Sequence, residues 1–296
     1  MMKIELMQDS SEIIQYEHKD IPLYINTADL SAYPGMSAPC HWHEDIEWIH
    51  IIKGTMCYFI NGKKLVLKEH DLLMVNARQM HYGSAYQKQD CHFSCILFHP
   101  SLFCSNRTLQ QTYVTPVLKN CDPEYLHIRA GQEPEIEKLL TQIVSLKETK
   151  MPGYEWEVIA LMYTIWARLW QKKLLTPVRN PQSAPDDLKI LKDMISFLYQ
   201  HYSEKISLDE IAAAGAVSRS KCCRIFKRYL QQSPIDFLNA YRLKVSCTLL
   251  DTTDKSITDI ALACGFNHLS YFSKHFYACY GFTPREYRKR KSALYT

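Results

Sequence analysis

Residues 41–48, HWHEDIEW, place His41 and His43 two apart and Glu47 four residues further on. Imidazole and carboxylate are the groups from which Zn, Fe, Mn or Ni sites are built. A second set of chemistry-bearing residues lies near the other end of the chain: Arg219, Ser220, Lys221, Cys223 and Arg224, then Asn267, His268, Ser270 and Lys274. Arginine reads guanine with two hydrogen bonds, and Ser, Asn and Lys contact bases or phosphates. The first set suits a small ligand or an ion and the second a polyanion. The elements that carry each set decide which chemistry the chain uses.

Charge divides the chain in the same way. Residues 205–296 hold 15 Lys/Arg and 7 Asp/Glu, a net charge of +8, while the remainder holds 20 and 24, a net −4. The C-terminal segment therefore attracts a polyanion and the N-terminal one does not. A length of 296 residues suits about two domains. The longest apolar stretch, VIALMYTIWA at 158–167, is stopped by Arg168 and is too short to span a bilayer. The first residues, MMKIELMQDSSE, lack the apolar core of a signal peptide. A cytoplasmic protein with no membrane partner is expected. Eleven cysteines without any C-x-x-C pair imply reduced, mostly buried thiols rather than a disulfide framework or a structural zinc site.

The N-terminal hundred residues read as strands. TMCYFI and KKLVLKE flank Asn61-Gly62, a hairpin signal, and DLLMVN (71–76) and CHFSCILF (91–98) are further short apolar runs. Such strands suggest a sandwich or small barrel. Two helical patterns follow. EPEIEKLLTQIVSLKE spaces Ile136, Leu139, Leu140, Ile143, Val144 and Leu146 by three and four, and a second helix carries Trp156, Ile159, Met162, Tyr163, Trp166 and Trp170. These helices either cover an open face of the strands or form a dimer interface, where aromatic anchors are enriched. TPVRNPQSAPDD (176–187) reads as a linker, and everything from Leu188 onward is helical.

The last ninety residues repeat. SLDEIA at Ser207 returns as SITDIA at Ser256, 49 residues later; RIF (224–226) returns as KHF (274–276) and SP (233–234) as TP (283–284), both after 50. Ser207 with Glu210 is a capping box, and Ser256 with Asp259 a weaker one. Each opens a helix of about two turns, followed by a turn that leaves Ser218 or the Asn267-His268 pair to cap the next helix. The buried side of that second helix carries Ile225, Phe226 and Tyr229, or Phe272, Phe276 and Tyr280. Helix, turn and helix make a helix-turn-helix, whose second member enters the major groove. The helix between the copies begins near Pro234, lines one face with Phe237, Tyr241, Val245 and Leu249, and spans about 25 Å. It can hold the two reading helices near one duplex turn apart, roughly 34 Å.

SLDEIA, RIFKRYLQQSPIDFLNAYRLKVSCTLL, SITDIALACGFNHLSYFSKHF and GFTPREYRK make residues 188–291 resemble the DNA-binding domain of the AraC/XylS family of transcriptional regulators. The resemblance implies that Ser220, Cys223, Arg224, Ser270 and Lys274 face the bases. It also implies activation of transcription, contact with RNA polymerase and a homodimer. Where the family often has glycine in the first turn, this sequence has Ala216, with Gly215 just before it. Residues 35–54 are similar to the first cupin signature through Gly35, His41, His43, Glu47 and Gly54. HDLLMVNARQMH is similar to the second through His81, with Ala77 and Gln79 in place of its proline and second glycine.

His41, His43, Glu47 and His81 then converge on the mouth of a small barrel. Three readings stay open: a catalytic metal as in cupin enzymes, a metal as sensed ligand or structural part, or polar residues holding a small polar effector such as a sugar without metal. The third is taken as the expectation, with no cofactor, because function follows the site rather than the fold. Lone histidines such as His50, His92, His99 and His127 are assigned no role.

The expected protein is α+β with two domains. Residues 1–130 form a cupin-like β-barrel for the effector and 131–175 a helical hairpin for dimerisation. After the 176–187 linker, 188–296 form an all-α double helix-turn-helix. It is expected to be a ligand-responsive, sequence-specific regulator of transcription and not an enzyme. The rival readings are a cupin metalloenzyme with a helical appendage and a constitutive DNA-binding protein whose barrel only dimerises.

Overall fold

The computed structural model describes residues 11–18, 21–103, 106–120, 123–175 and 186–292. The expected linker lies outside the described residues up to 185, as do residues 1–10. The chain divides into two units, Ser11–Pro185 and Asp186–Thr296. The first is a β-sheet unit with helices and the second is all helical.

Seven strands make the sheet of the first unit: β1 (Leu23–Asp29), β2 (Ile46–Ile60), β3 (Lys63–Lys68), β4 (Leu72–Val75), β5 (His81–Ala85), β6 (Cys91–Phe98) and β7 (Tyr125–Ile128). All pairings are antiparallel in the order β1-β6-β2-β4-β7, with β3 and β5 on the far half of β2. Asn61-Gly62 is the two-residue turn the sequence predicts, with Ile60 opposite Lys63 and φ positive at both turn residues.

β2 organises the unit. Its first half pairs with β4 and β6 and its second half with β3 and β5. Between them the β2–β6 register slips at Ile51/Lys53, a bulge. One extra residue exchanges the two faces. Before the bulge, Ile49 and Ile51 point to an inner core shared with Leu67, Leu73 and Phe93; after it, Met56, Tyr58 and Ile60 do. Ile46 and Trp48 face the other way, into an outer core with Leu23, Ile25, Ile96 and Phe98. Cores on both sides explain why the start of β2 is buried without alternation.

Two short helices, α1 (Arg107–Leu109) and α2 (Thr115–Asn120), send Val114 between them and Val117 into the outer core. Helices α3 (Pro134–Thr149) and α4 (Tyr154–Gln171) cover that core with Ile136, Leu140 and Ile143, and with Val158, Met162, Ile165 and Leu169. Of the residues expected on one face of α4, Met162 and Trp166 are buried and Tyr163 and Trp170 pack against the core, but Trp156 is 79% exposed, and Val158, Ile165 and Leu169 complete the buried face. Trp48 is core, whereas Trp42 is half-buried.

The second unit contains α5 (Asp186–His201), α6 (Leu208–Ala214), α7 (Arg219–Leu230), α8 (Pro234–Thr252), α9 (Ile257–Ala263), α10 (Leu269–Tyr280) and α11 (Pro284–Ser292). The repeat is visible helix for helix: α6 and α9 start 49 residues apart, while α7 and α10, like α8 and α11, start 50 apart. The extra residue lies in the second turn, which has Cys264 to His268 where the first has Gly215 to Ser218. Helix α8 does not bury the single stripe expected of it. Leu238, Asn239, Arg242, Leu243, Ser246 and Cys247 are buried beside Phe237, whereas Tyr241, Val245 and Leu249 are only partly covered. A helix in contact with α6, α7, α9, α10 and α11 is covered on several sides, so no one periodicity describes it.

Ala216 takes the left-handed conformation, φ +50, that Gly265 takes at the same point of the second copy, φ +78. The turn is conserved between the copies and the residue type is not. Left-handed backbone strains any residue with a Cβ, and Ala216 is exposed. Ala216→Gly is therefore expected to stabilise the protein by about 1 kcal/mol, set by relieved strain less the entropy of the added glycine. A higher urea midpoint at unchanged m-value is the readout.

Candidate functional site

Each helix-turn-helix is closed by the same two backbone hydrogen bonds. Ala216 N–H donates to Ala213 O and Val217 N–H to Ala212 O; in the second copy Gly265 N–H donates to Leu262 O and Phe266 N–H to Ala261 O. The small buried Ala212 and Ala261 let the second helix cross closely. Entry to the first helix is fixed by the Ser207–Glu210 capping box, complete in both directions, and by Ser256 accepting from Asp259 N–H. Ser218 caps α7 through Lys221 N–H. Neither Asn267 nor His268 caps α10: its N-cap is His268, with no side-chain hydrogen bond.

The buried faces are Cys222, Ile225, Phe226 and Tyr229 on α7, and Phe272 and Phe276 on α10. Opposite them Arg219, Ser220 and Arg224 are exposed, as are Asn267, His268, Ser270 and Lys274, with Lys221 and Cys223 partly covered. Not all these cations are equally available. Arg219 pairs with Asp209 on α6, which holds that carboxyl below the usual range, and Lys221 lies 3.2 Å from Asp187. Arg224 has no carboxylate partner among the described residues. The second helices of the two units, α7 and α10, also differ in character. Helix α7 holds five Lys/Arg and no acid, whereas α10 has Lys274 alone and exposes Leu269, Tyr271 and Tyr277.

The four predicted residues of the first unit come together. His41 and His43 lie just before β2 rather than within it, and His41 is held by backbone hydrogen bonds in both directions with His81 at the start of β5. Glu47 lies on β2. All four are buried. Each histidine donates its Nδ1–H to a backbone carbonyl: His41 to Pro39 at 2.8 Å, His43 to Asp45 at 3.0 Å and His81 to Gln79 at 2.8 Å. That choice of tautomer leaves Nε2 as the inward atom of each ring. His81 Nε2 lies 2.9 Å from Glu47 Oε2 and His43 Nε2 3.9 Å from the same oxygen.

Electrostatics follow from burial. It pushes His41 well below the ordinary histidine value and His43 down to about 4, helped by the charge on His81. Burial opposes charge on His81 as well, but the Glu47 carboxylate outweighs it and raises His81. Burial alone would raise Glu47; the facing His81 overcomes it and holds that carboxyl well below the usual range.

Sequence reasoning missed the rest of the pocket. Tyr58 O–H donates to Glu47 Oε2 at 2.9 Å and the Cys95 thiol to Oε1 at 3.1 Å. With Glu12, Tyr24, Tyr33 and Phe93 these residues line a cleft that His41 and Glu47 also border, whereas His43 and His81 are not among its lining residues. Strand alternation puts Tyr58 on the wrong face relative to Glu47, and only the bulge returns it; no local signal marks that change.

Residues 31–165 match the AraC-like ligand binding domain and residues 211–290 the helix-turn-helix domain. The uncharacterized HTH-type transcriptional regulator YdeC of Bacillus subtilis is 28% identical over 294 residues, 99% of this chain and 100% of YdeC. The HTH-type transcriptional activator RhaR of Mannheimia succiniciproducens is 26% identical over 260 residues, 85% of this chain and 87% of RhaR. Among solved structures, an apo ToxT variant from Vibrio cholerae superposes with a TM-score of 0.47 and 16% identity over 90% of this chain and 97% of that one. The matches run through both units and reach regulators rather than enzymes: the chain belongs to the AraC family of HTH-type transcriptional regulators.

Proposed function

We propose that this regulator binds operator DNA through both reading helices, responds to a small polar effector in the His41–His43–Glu47–His81 pocket, and activates transcription. The observation that carries the reading is the turn built twice with the same hydrogen bonds, each time exposing a polar helix face. The pocket's buried carboxylate and phenols suit hydroxyl-bearing ligands such as sugars, and RhaR's name as an activator supports the direction. Trp156 on α4 and Met151 before it, both exposed, support pairing with a second copy. Work on DNA sets its place in the cytoplasm, and among the described residues no helix is long and apolar enough to cross a membrane. Contact with RNA polymerase belongs to the same proposal. Selection of bound duplexes from a random pool, with and without metabolite mixtures, tests it. An enriched motif whose yield changes with one metabolite is expected; no enrichment in either arm overturns it. Because an effector acts only by favouring one state, a metabolite that binds without altering DNA affinity is not the effector.

A specific observation favours a second reading of the pocket. Ring nitrogens of His41, His43 and His81, one from each and all within 4.8 Å of one another, converge beside Glu47. With every Nδ1–H committed to a carbonyl, three imidazoles and Glu47 form a donor set for a divalent transition-metal ion, which would supply an anchoring point for an oxygen of the effector. His43→Ala is expected to lower the metal content of the purified chain by one equivalent, read by plasma emission; unchanged content leaves the metal-free pocket.

A further inference from the structure

His50 lies on β2, facing the outer core, 7% exposed. Its Nε2 is buried and makes no hydrogen bond. Ser94, its cross-strand partner on β6, also has a buried hydroxyl without a hydrogen-bond partner. Two adjacent polar groups on one face of a sheet have thus lost water without gaining a good hydrogen bond among the described residues, His50 Nε2 keeping only a 3.5 Å approach to a carboxylate, which native interiors seldom tolerate.

What surrounds His50 is a donor set. His70, in the turn between β3 and β4, places Nδ1 2.9 Å from Glu137 Oε1, and His50 Nε2 lies 3.5 Å from the same oxygen. The three ligand atoms are all within 4.8 Å of one another. His70 holds a left-handed backbone, φ +67, and its N–H donates to Ile51 O, which pins the turn beside the residue after His50. Glu137 stands in the first turn of α3, where the helix dipole favours a carboxylate. A close ion pair between His70 and Glu137 satisfies those two groups and leaves His50 Nε2 3.5 Å from the shared oxygen, without a good hydrogen bond; a cation among them satisfies all three.

We infer that His50, His70 and Glu137 form a binding site for a divalent transition-metal ion such as Zn²⁺, distinct from the pocket. Two imidazoles and one carboxylate are the ligands such an ion takes, and because His70 is exposed, water completes the coordination. The ion would tie the β3–β4 turn and the start of α3 to β2, three segments that no covalent link holds together.

Equilibrium dialysis of the full-length chain against Zn²⁺ tests the inference. His70→Asn keeps a residue that tolerates left-handed backbone, and Glu137→Gln keeps the helix. Each variant is expected to bind one Zn²⁺ fewer than the wild type, and Zn²⁺ is expected to raise the melting temperature of the wild type more than that of either variant. His43→Ala, altered only in the pocket, is expected to retain the outer ion, so pocket occupancy and outer-site occupancy are read separately. Equal stoichiometry in wild type, His70→Asn and Glu137→Gln overturns the inference. So does loss of all Zn²⁺ from His43→Ala.

Discussion

Arg224→Ala is expected to weaken operator binding by 10- to 100-fold, about 1–3 kcal/mol, with the loss concentrated at one base pair. Arg224 is exposed on α7 and carries no ion pair among the described residues, so its whole fork of donors is available to a guanine edge. Arg219, one turn earlier, must first give up Asp209. Arg219→Ala is accordingly expected to cost less than Arg224→Ala. Lys274→Ala, which removes the one Lys or Arg of α10, is expected to weaken binding with part of the loss at the base it faces, and to reduce the salt slope by about one. Competition binding against operators changed one base pair at a time, repeated at several salt concentrations, separates these effects. A uniform penalty for Arg224→Ala across all sequences would remove it from base reading.

The second large effect concerns the frame rather than the contacts. A Cβ at Gly265 would lie 2.6 Å from Tyr202 O and 2.9 Å from Arg242 Nη2. Arg242 is buried, donating Nε to Tyr202 O at 2.7 Å and Nη2 to Glu204 O at 2.6 Å. Alanine at 265 must displace a backbone carbonyl or push the guanidinium off its two acceptors. Leaving a buried charge unpaired costs about 3–5 kcal/mol, and the left-handed backbone at φ +78 adds about 1–2 kcal/mol. Set against a typical stability of about 5–15 kcal/mol, Gly265→Ala is expected to unfold much of the helical unit and abolish DNA binding. Gly281→Ala is the control: φ is +75 there too, but nothing lies within 4 Å of the added Cβ, so only the backbone strain is expected. Urea melts of the two variants check the difference. Similar losses in both would show that Arg242 has room to move.

The helical unit was legible because its signals are local. A capping box spans four residues, a turn four or five, and a buried helix face repeats within two turns, so chain order carries each of them. The repeat then set two copies in one order, while the bounds of the two turns, 215–218 and 264–268, came only from the structure. Helix α8 was less legible, since its coverage comes from the helices around it rather than from its own pattern.

The chain by itself determined the helix-turn-helix pair, the charge divided between its two parts, and the histidines and glutamate meant for one pocket. Tertiary structure decided the pocket's remaining partners. Glu47 and Tyr58 are eleven residues apart on one strand, and strict alternation separates them; the slip at Ile51/Lys53 brings them to the same face. It also decided that Arg219 is held by Asp209 and that His50 meets Glu137, 87 residues further along. Local periodicity predicts which face a residue takes only while the register runs unbroken. Contacts between distant segments depend on strand register and helix packing, which the collapse of the whole unit sets.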